Sequence, residues 1–176
     1  ARGLATADGA TRRPMSSGTS GVADFLRPGT GRKRLLFEAS VLLCLSLLLV
    51  RLVPFRRWSG RLGTAEEPAS EAARMEHVEL LREVARAVDR VNRAAGGRFT
   101  CLMQAVTGKL MLNRRRIGNT LVLGVRTVPR ERGVEIAAHA WLSSGAIIVL
   151  GGEGHTQYTV VSRHYSDRPG LRDGAA

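Results

Sequence analysis

Three helical patterns of apolar residues follow one another from residue 35 onward. Residues 35–53 are almost continuously aliphatic, which predicts a helix, and Pro54 predicts where that helix ends. Over about 69–94, apolar residues recur every three or four positions between charged ones, so we expect an amphipathic helix that ends at Gly96. A shorter helix is predicted to begin at Cys101.

Strand patterns follow these helices. The segments 120–126, 134–142 and 146–150 alternate or form short aliphatic runs, which predicts three strands, with a weaker fourth at 158–161. The links between them are short and contain glycine or proline, so neighbouring strands are expected to be antiparallel. The predicted fold class is therefore α+β, with amino-terminal helices and a Cys101-bearing helix packed on a small antiparallel sheet.

The length of 176 residues suits one core with a tail at each end. The composition predicts a disordered basic tail at 1–31 and a leucine-rich helix with its linker at 32–62. A globular core at 63–165 and a flexible tail at 166–176 complete the expected organisation.

The aliphatic segment 35–53 has two interpretations. It is long enough to span a bilayer, but Glu38 and Arg51 stand near its ends. We therefore favour a buried or interfacial helix beside the core, and peripheral membrane contact stays open. Cys44 lies inside this run, so it is expected to be buried among leucines and chemically inert.

The net charge of +12, from 27 basic and 15 acidic residues, predicts a strongly positive surface. Such a surface suits nucleic acid, anionic lipid or an acidic peptide. Nucleic acid is disfavoured because aromatic residues make up only 5% of the chain and do not alternate with the basic ones. Two cysteines without metal-ligand spacing argue against a zinc site, so we expect no cofactor. Without a recognisable secretory signal, the expected location is the cytoplasm.

Cys101 and His139 are the candidate catalytic pair. A thiol attacks as the thiolate, which a helix amino terminus and a neighbouring imidazolium both stabilise. A third polar group normally orients the histidine, and Glu153, His155 and Gln157 are available after the third strand. Glu153 is the only carboxylate among them, so it is the predicted orienting residue.

Several motifs in order resemble a known family. They are Cys101-Leu102, the arginine-rich turn that ends in Ile117-Gly118, the strand over 123–126, and Ala138-His139-Ala140-Trp141. Together, over about 32–161, they resemble the transglutaminase-like leader peptidases of lasso-peptide biosynthesis. The resemblance implies a papain-like or transglutaminase-like core, with Cys101 as nucleophile and His139 as base.

The resemblance also implies an activity and partners. The expected enzyme is a cysteine peptidase of the bacterial cytoplasm that removes the leader from a ribosomally made precursor peptide. A separate small leader-recognition protein and a lasso cyclase are its implied partners. The family places an aspartate after the third strand, whereas this chain has Gly151, Gly152 and Glu153 there. The competing hypothesis is a non-catalytic basic module that docks on membrane or nucleic acid.

Overall fold

A computed structural model describes residues 30–63, 77–131 and 133–166. Four helices precede four strands, which confirms the predicted α+β class. The helices are α1 (Thr30–Leu52), α2 (Phe55–Trp58), α3 (Val78–Ala94) and α4 (Cys101–Arg114), and the strands are β1 (Asn119–Arg130), β2 (Gly133–Ser144), β3 (Ile147–Leu150) and β4 (Thr159–Ser166). Most of both predicted tails and the predicted helical residues 69–76 lie outside this description.

The four strands form one antiparallel sheet in the order β3-β2-β1-β4. The β1–β2 hairpin is longer than predicted, because its pairing continues through Pro129 opposite Val134 to the turn. β4 pairs with β1 only as far as Val125, so Pro129 has a strand on one side alone. A proline is tolerated there because no second ladder needs its missing N–H group.

The helices cover one face of the sheet. Gly108 of α4 lies against Leu142 of β2 and Leu150 of β3, so the helix backbone comes close to the strands. The main hydrophobic cluster joins residues of α1, α3 and α4 to the sheet residues Leu121, Ala140, Leu142, Val149 and Leu150. Val122, Trp141 and Tyr165 are also buried but lie outside that cluster. Strand side chains alternate between faces, so these three belong to the face away from the helices.

One face of α1 belongs to this core. Ala39 and Leu43 are fully buried, and the Ser46 hydroxyl lies 3.1 Å from that of Thr107 in α4. Glu38 accepts a hydrogen bond of 2.6 Å from Arg115, just after α4. The helix thus packs beside the core as predicted, although by length and composition alone it could also cross a membrane.

The expected burial of Cys44 is wrong, since its side chain is exposed. α1 is apolar around its whole circumference, so the positions of its polar residues do not indicate which face is buried. The helix buries the side that carries Leu43 and Ser46, and Cys44 lies on the other.

Lys109 fastens α4 to the sheet from inside the protein. Its side chain is 1% exposed, and its ammonium nitrogen donates to Asn119 Oδ1 at 3.1 Å and to the His164 carbonyl at 2.9 Å. Burial lowers the pKa of Lys109 to about 7. Burial, with a contribution from the charge of Lys109, also lowers the pKa of His164. The helix that begins at Cys101 is therefore held to β1 and β4 by a lysine whose charged form is disfavoured by burial.

We expect Lys109 to make stability rise with pH. The unfolded chain keeps the lysine proton up to the ordinary pKa of 10.5, whereas the folded chain releases it near pH 7. The unfolding free energy should therefore increase by about 2 kcal/mol between pH 7 and pH 9, and this increase should be absent in Lys109→Met. Urea denaturation of both proteins at both pH values measures it. Equal pH dependence in the two proteins would contradict the prediction.

Candidate active site

Cys101 is the first residue of α4, as predicted. Thr100 caps the helix, because its hydroxyl oxygen accepts the Met103 N–H at 3.4 Å. The preceding loop is fixed on both sides: the Phe99 N–H donates to Asn92 of α3 at 3.1 Å, and Gln104 donates to the Phe99 carbonyl at 2.8 Å. A half-buried thiol is thus held at the positive end of a helix dipole.

His139 lies on β2 opposite Gly124 of β1. Its Nε2 is 2.8 Å from the Gly151 carbonyl oxygen, and its ring lies against Trp141 and Tyr158, with centroids 6.0 and 5.0 Å away. A carbonyl only accepts, so Nε2 carries the proton and donates. In the neutral ring, Nδ1 is therefore the atom that can accept a proton.

Gly151 can take this position because it has no side chain. Its φ of +70° is left-handed, and a Cβ there would lie 2.5 Å from the Ala140 carbonyl oxygen. The chain can therefore turn tightly after β3 and present the Gly151 carbonyl to His139.

The hydrogen bond predicted between Glu153 and His139 is not formed. Glu153 is exposed, and the hydrogen-bond partner of His139 Nε2 is the Gly151 carbonyl. His155 instead donates from Nδ1 to the Gly152 carbonyl at 2.6 Å, and Gln157 accepts from Arg126. The partner of His139 is a backbone group because the tight turn at Gly151 places the Gly151 carbonyl beside the imidazole ring.

Cys101 and His139 are at the same end of the sheet. Gly108 of α4 lies against Leu142 of β2. Cys101 is seven residues before Gly108 along the helix, and His139 is three residues before Leu142 along the strand. Cys101 and His139 therefore each lie about 10 Å from the contact between Gly108 and Leu142. The directions agree, because Gly118, just beyond the end of α4, accepts a hydrogen bond from Ser144 at the far end of β2.

The pair does not share a face of the sheet. His139 stacks on Trp141, which points away from the helices, whereas α4 covers the Leu142 face. Within the described residues no hydrogen bond joins Cys101 to His139. The structure thus brings the two predicted residues to one end of the domain without forming the predicted contact.

A cleft of about 480 Å³ opens on the face of Trp141. Aromatic and polar side chains line it, among them Trp141, His155, Tyr158, Arg163 and Tyr165. Since His139 lies against Trp141 and Tyr158, the cleft adjoins the histidine. Arg163, which is exposed, is the only lysine or arginine among its lining residues.

Sequence reasoning missed the backbone part of this site. In the sequence, Gly151 is only a departure from the family pattern, and Gly124 is one residue of a predicted strand. A Cβ on Gly124 would lie 2.8 Å from Tyr158 Cβ and 2.9 Å from the Trp141 ring, so this glycine makes room for the rings that hold His139. A glycine inside an alternating strand is the signal that indicates such a close approach.

The comparison with protein families agrees with this architecture. The model of the transglutaminase-like superfamily matches residues 47–163, more than half of the chain. The chain belongs to the transglutaminase-like superfamily. The match spans the end of α1 through most of β4, so this transglutaminase-like chain has both Cys101 and His139 inside the family region. No curated protein and no solved structure matches it significantly.

We expect Gly124→Ala to destabilise the protein because its side chain would collide with the rings beside His139. The added methyl group would displace Trp141 or Tyr158, at a cost of about 1–3 kcal/mol. Gly60→Ala is the matched control, because a Cβ at Gly60 meets nothing within 4 Å. Urea denaturation followed by circular dichroism measures both variants. Equal stability of the two would show that the rings accommodate the methyl group.

Proposed function

We propose that this chain is a cysteine peptidase that removes the leader from a lasso-peptide precursor. The observation that carries the proposal is the His139 ring at the Cys101 end of the sheet, with Nε2 engaged by Gly151 and Nδ1 left as the basic atom. Membership of the transglutaminase-like superfamily and the ordered motifs around both residues support it. Leader removal is the finer part of the proposal and rests on the motif resemblance.

In this mechanism His139 Nδ1 takes the proton of the Cys101 thiol, and the thiolate attacks the scissile carbonyl. The tetrahedral intermediate collapses as the imidazolium protonates the leaving amine of the core peptide. A water molecule, deprotonated by His139, then attacks the thioester and releases the leader with a free carboxylate. The thiol is thereby restored, and no cofactor is consumed.

The start of α4 supplies oxyanion stabilisation in this proposal. The first N–H groups of a helix have no partner within the helix, and the Cys101 N–H is one of them. Such a preorganised donor stabilises charge that develops on the carbonyl oxygen. The thiol and this donor belong to the same residue, so both would face the same carbonyl group.

The reaction requires His139 Nδ1 to come within hydrogen-bonding distance of Cys101 Sγ. Catalytic hydrogen bonds commonly tighten only when substrate is bound. β2 pairs with β3 only from Leu142 onward, so the edge of β2 beside His139 has no neighbouring strand in the part of the chain described. The proposal therefore requires the His139 ring to turn around this edge toward Cys101 when substrate binds.

The proposal includes the partners and setting that the resemblance implies. The precursor would lie partly in the aromatic cleft, a separate leader-recognition protein would deliver it, and a cyclase would use the released amine. The reaction would take place in the cytoplasm. A non-catalytic docking module is the alternative, and loss or survival of cleavage in nucleophile variants separates the two.

We expect Cys101→Ala to abolish cleavage and Cys44→Ala to leave it unchanged. Only Cys101 lies at a helix start, at the same end of the sheet as His139, whereas Cys44 is exposed on α1. Mass spectrometry of the precursor, incubated with the chain and the leader-recognition protein, measures both. Cleavage by Cys101→Ala would leave the docking module as the better account.

We expect Glu153→Gln to keep turnover and Gly151→Ala to lower it by at least about tenfold, since a misplaced base costs that much. Gly154→Ala is the matched control: Gly154 has a similar φ of +66°, but a Cβ there would meet only Gln157, at 3.9 Å. Turnover is compared with the stability of each variant. A loss in Glu153→Gln as large as in His139→Ala would assign the orienting role to the carboxylate.

A further inference from the structure

α1 carries a second apolar face that the described residues leave uncovered. This face, the α1 stripe, consists of Phe37, Val41, Leu45, Leu48 and Leu52, which are between 42% and 74% exposed. At 100° per residue these side chains fall within an arc of about 80°. Contiguous exposed apolar surface of this kind marks an interaction site in soluble proteins.

Basic residues border the α1 stripe at both ends. Lys33 and Arg34 precede it and Arg51 stands at its far end, all of them exposed, and Arg56 and Arg57 follow in α2. The only acidic residue of α1 is Glu38, which is bound to Arg115 at 2.6 Å and lies 3.5 Å from Arg114. The stripe is therefore framed by positive charge that no free carboxylate of α1 offsets.

We propose that the α1 stripe docks in the interface of a bilayer that contains anionic lipid. An interfacial helix places its apolar side chains among the upper acyl chains and its cations among the headgroups. Each lysine or arginine near an anionic surface adds to the attraction. The α1 stripe supplies the apolar side chains, and the three to five basic residues at its ends supply the cations.

The packing of α1 favours a surface position over a span. Its opposite face is joined to α4 through Ser46 and Thr107 and through the Glu38 to Arg115 ion pair. A span would carry both polar contacts and the domain behind them into hydrocarbon, where charged groups are costly. Lying flat, α1 keeps these contacts and still buries the stripe.

The charge pattern also disfavours a second copy of the chain as the occupant. In a two-fold pair of α1 helices, Lys33 and Arg34 of one copy would approach Arg51 of the other. Like charges would then meet at both ends of the contact, which is unfavourable. Anionic headgroups neutralise the same residues.

Vesicle binding by the full chain tests the proposal. The chain should sediment with vesicles of phosphatidylglycerol and phosphatidylcholine, less so with phosphatidylcholine alone, and less at high salt. Leu45→Ser/Leu48→Ser should weaken the partition by at least about tenfold, because several methyl and methylene groups are lost. The matched control is Val134→Ser/Ile136→Ser: these residues of β2 are 70% and 71% exposed, against 52% for each leucine, and should not alter binding.

Cys44 provides a second readout that is independent of cleavage. It is exposed beside the α1 stripe, about 20° from Phe37 around the helix axis. Anionic vesicles should slow its alkylation by a water-soluble reagent, while the rate at Cys101 stays the same.

Any of the following results would overturn the proposal. Three concern binding: no sedimentation with anionic vesicles, an unchanged Cys44 alkylation rate, and a control variant that binds as weakly as the leucine variant. A Cys44 that is unreactive without lipid, or a dimer that requires Leu45 and Leu48, would show that protein covers the α1 stripe. Retention in the membrane pellet after carbonate extraction would indicate a span.

Discussion

The close packing of α4 on the sheet sets the geometry of the whole domain. Gly108 brings the helix backbone against Leu142 and Leu150, and the next residue, Lys109, reaches through the core to β1 and β4. One turn of helix therefore combines a steric contact with a polar one. Because α4 is a rigid rod, these two residues determine where its first residue, Cys101, lies about 10 Å away.

Glycines shape the other half of the candidate site. Gly124 leaves space for the rings of Trp141 and Tyr158, and these rings confine His139 from two sides. Gly151 then offers its carbonyl to the remaining polar edge of the imidazole. At each of the two glycines a Cβ would collide with its neighbours. The orientation of the histidine therefore depends on the absence of side chains at Gly124 and Gly151 as well as on the rings around it.

The sequence predicted what depends on periodicity and chain order. The α+β class, the end of the leucine-rich helix near Pro54 and the helix start at Cys101 all follow from local patterns, and the structure has them. It did not predict that Cys44 is exposed, because a helix that is apolar on every side gives no indication of which face is buried. Nor did it predict the partner of His139, because a backbone carbonyl leaves no mark in the residue types. The burial of Lys109 was equally invisible, since a lone lysine in a helix normally faces solvent.

The Gly151 carbonyl gives the candidate site an unusual genetic signature. A carboxylate that orients a histidine belongs to one codon and disappears when that codon changes. A main-chain oxygen survives every substitution that preserves the path of the chain, and it neither gains nor loses a proton in the physiological range. Selection would therefore act here on the shape of a turn, and two distantly related chains could keep the same orienting group while sharing no polar residue at this position.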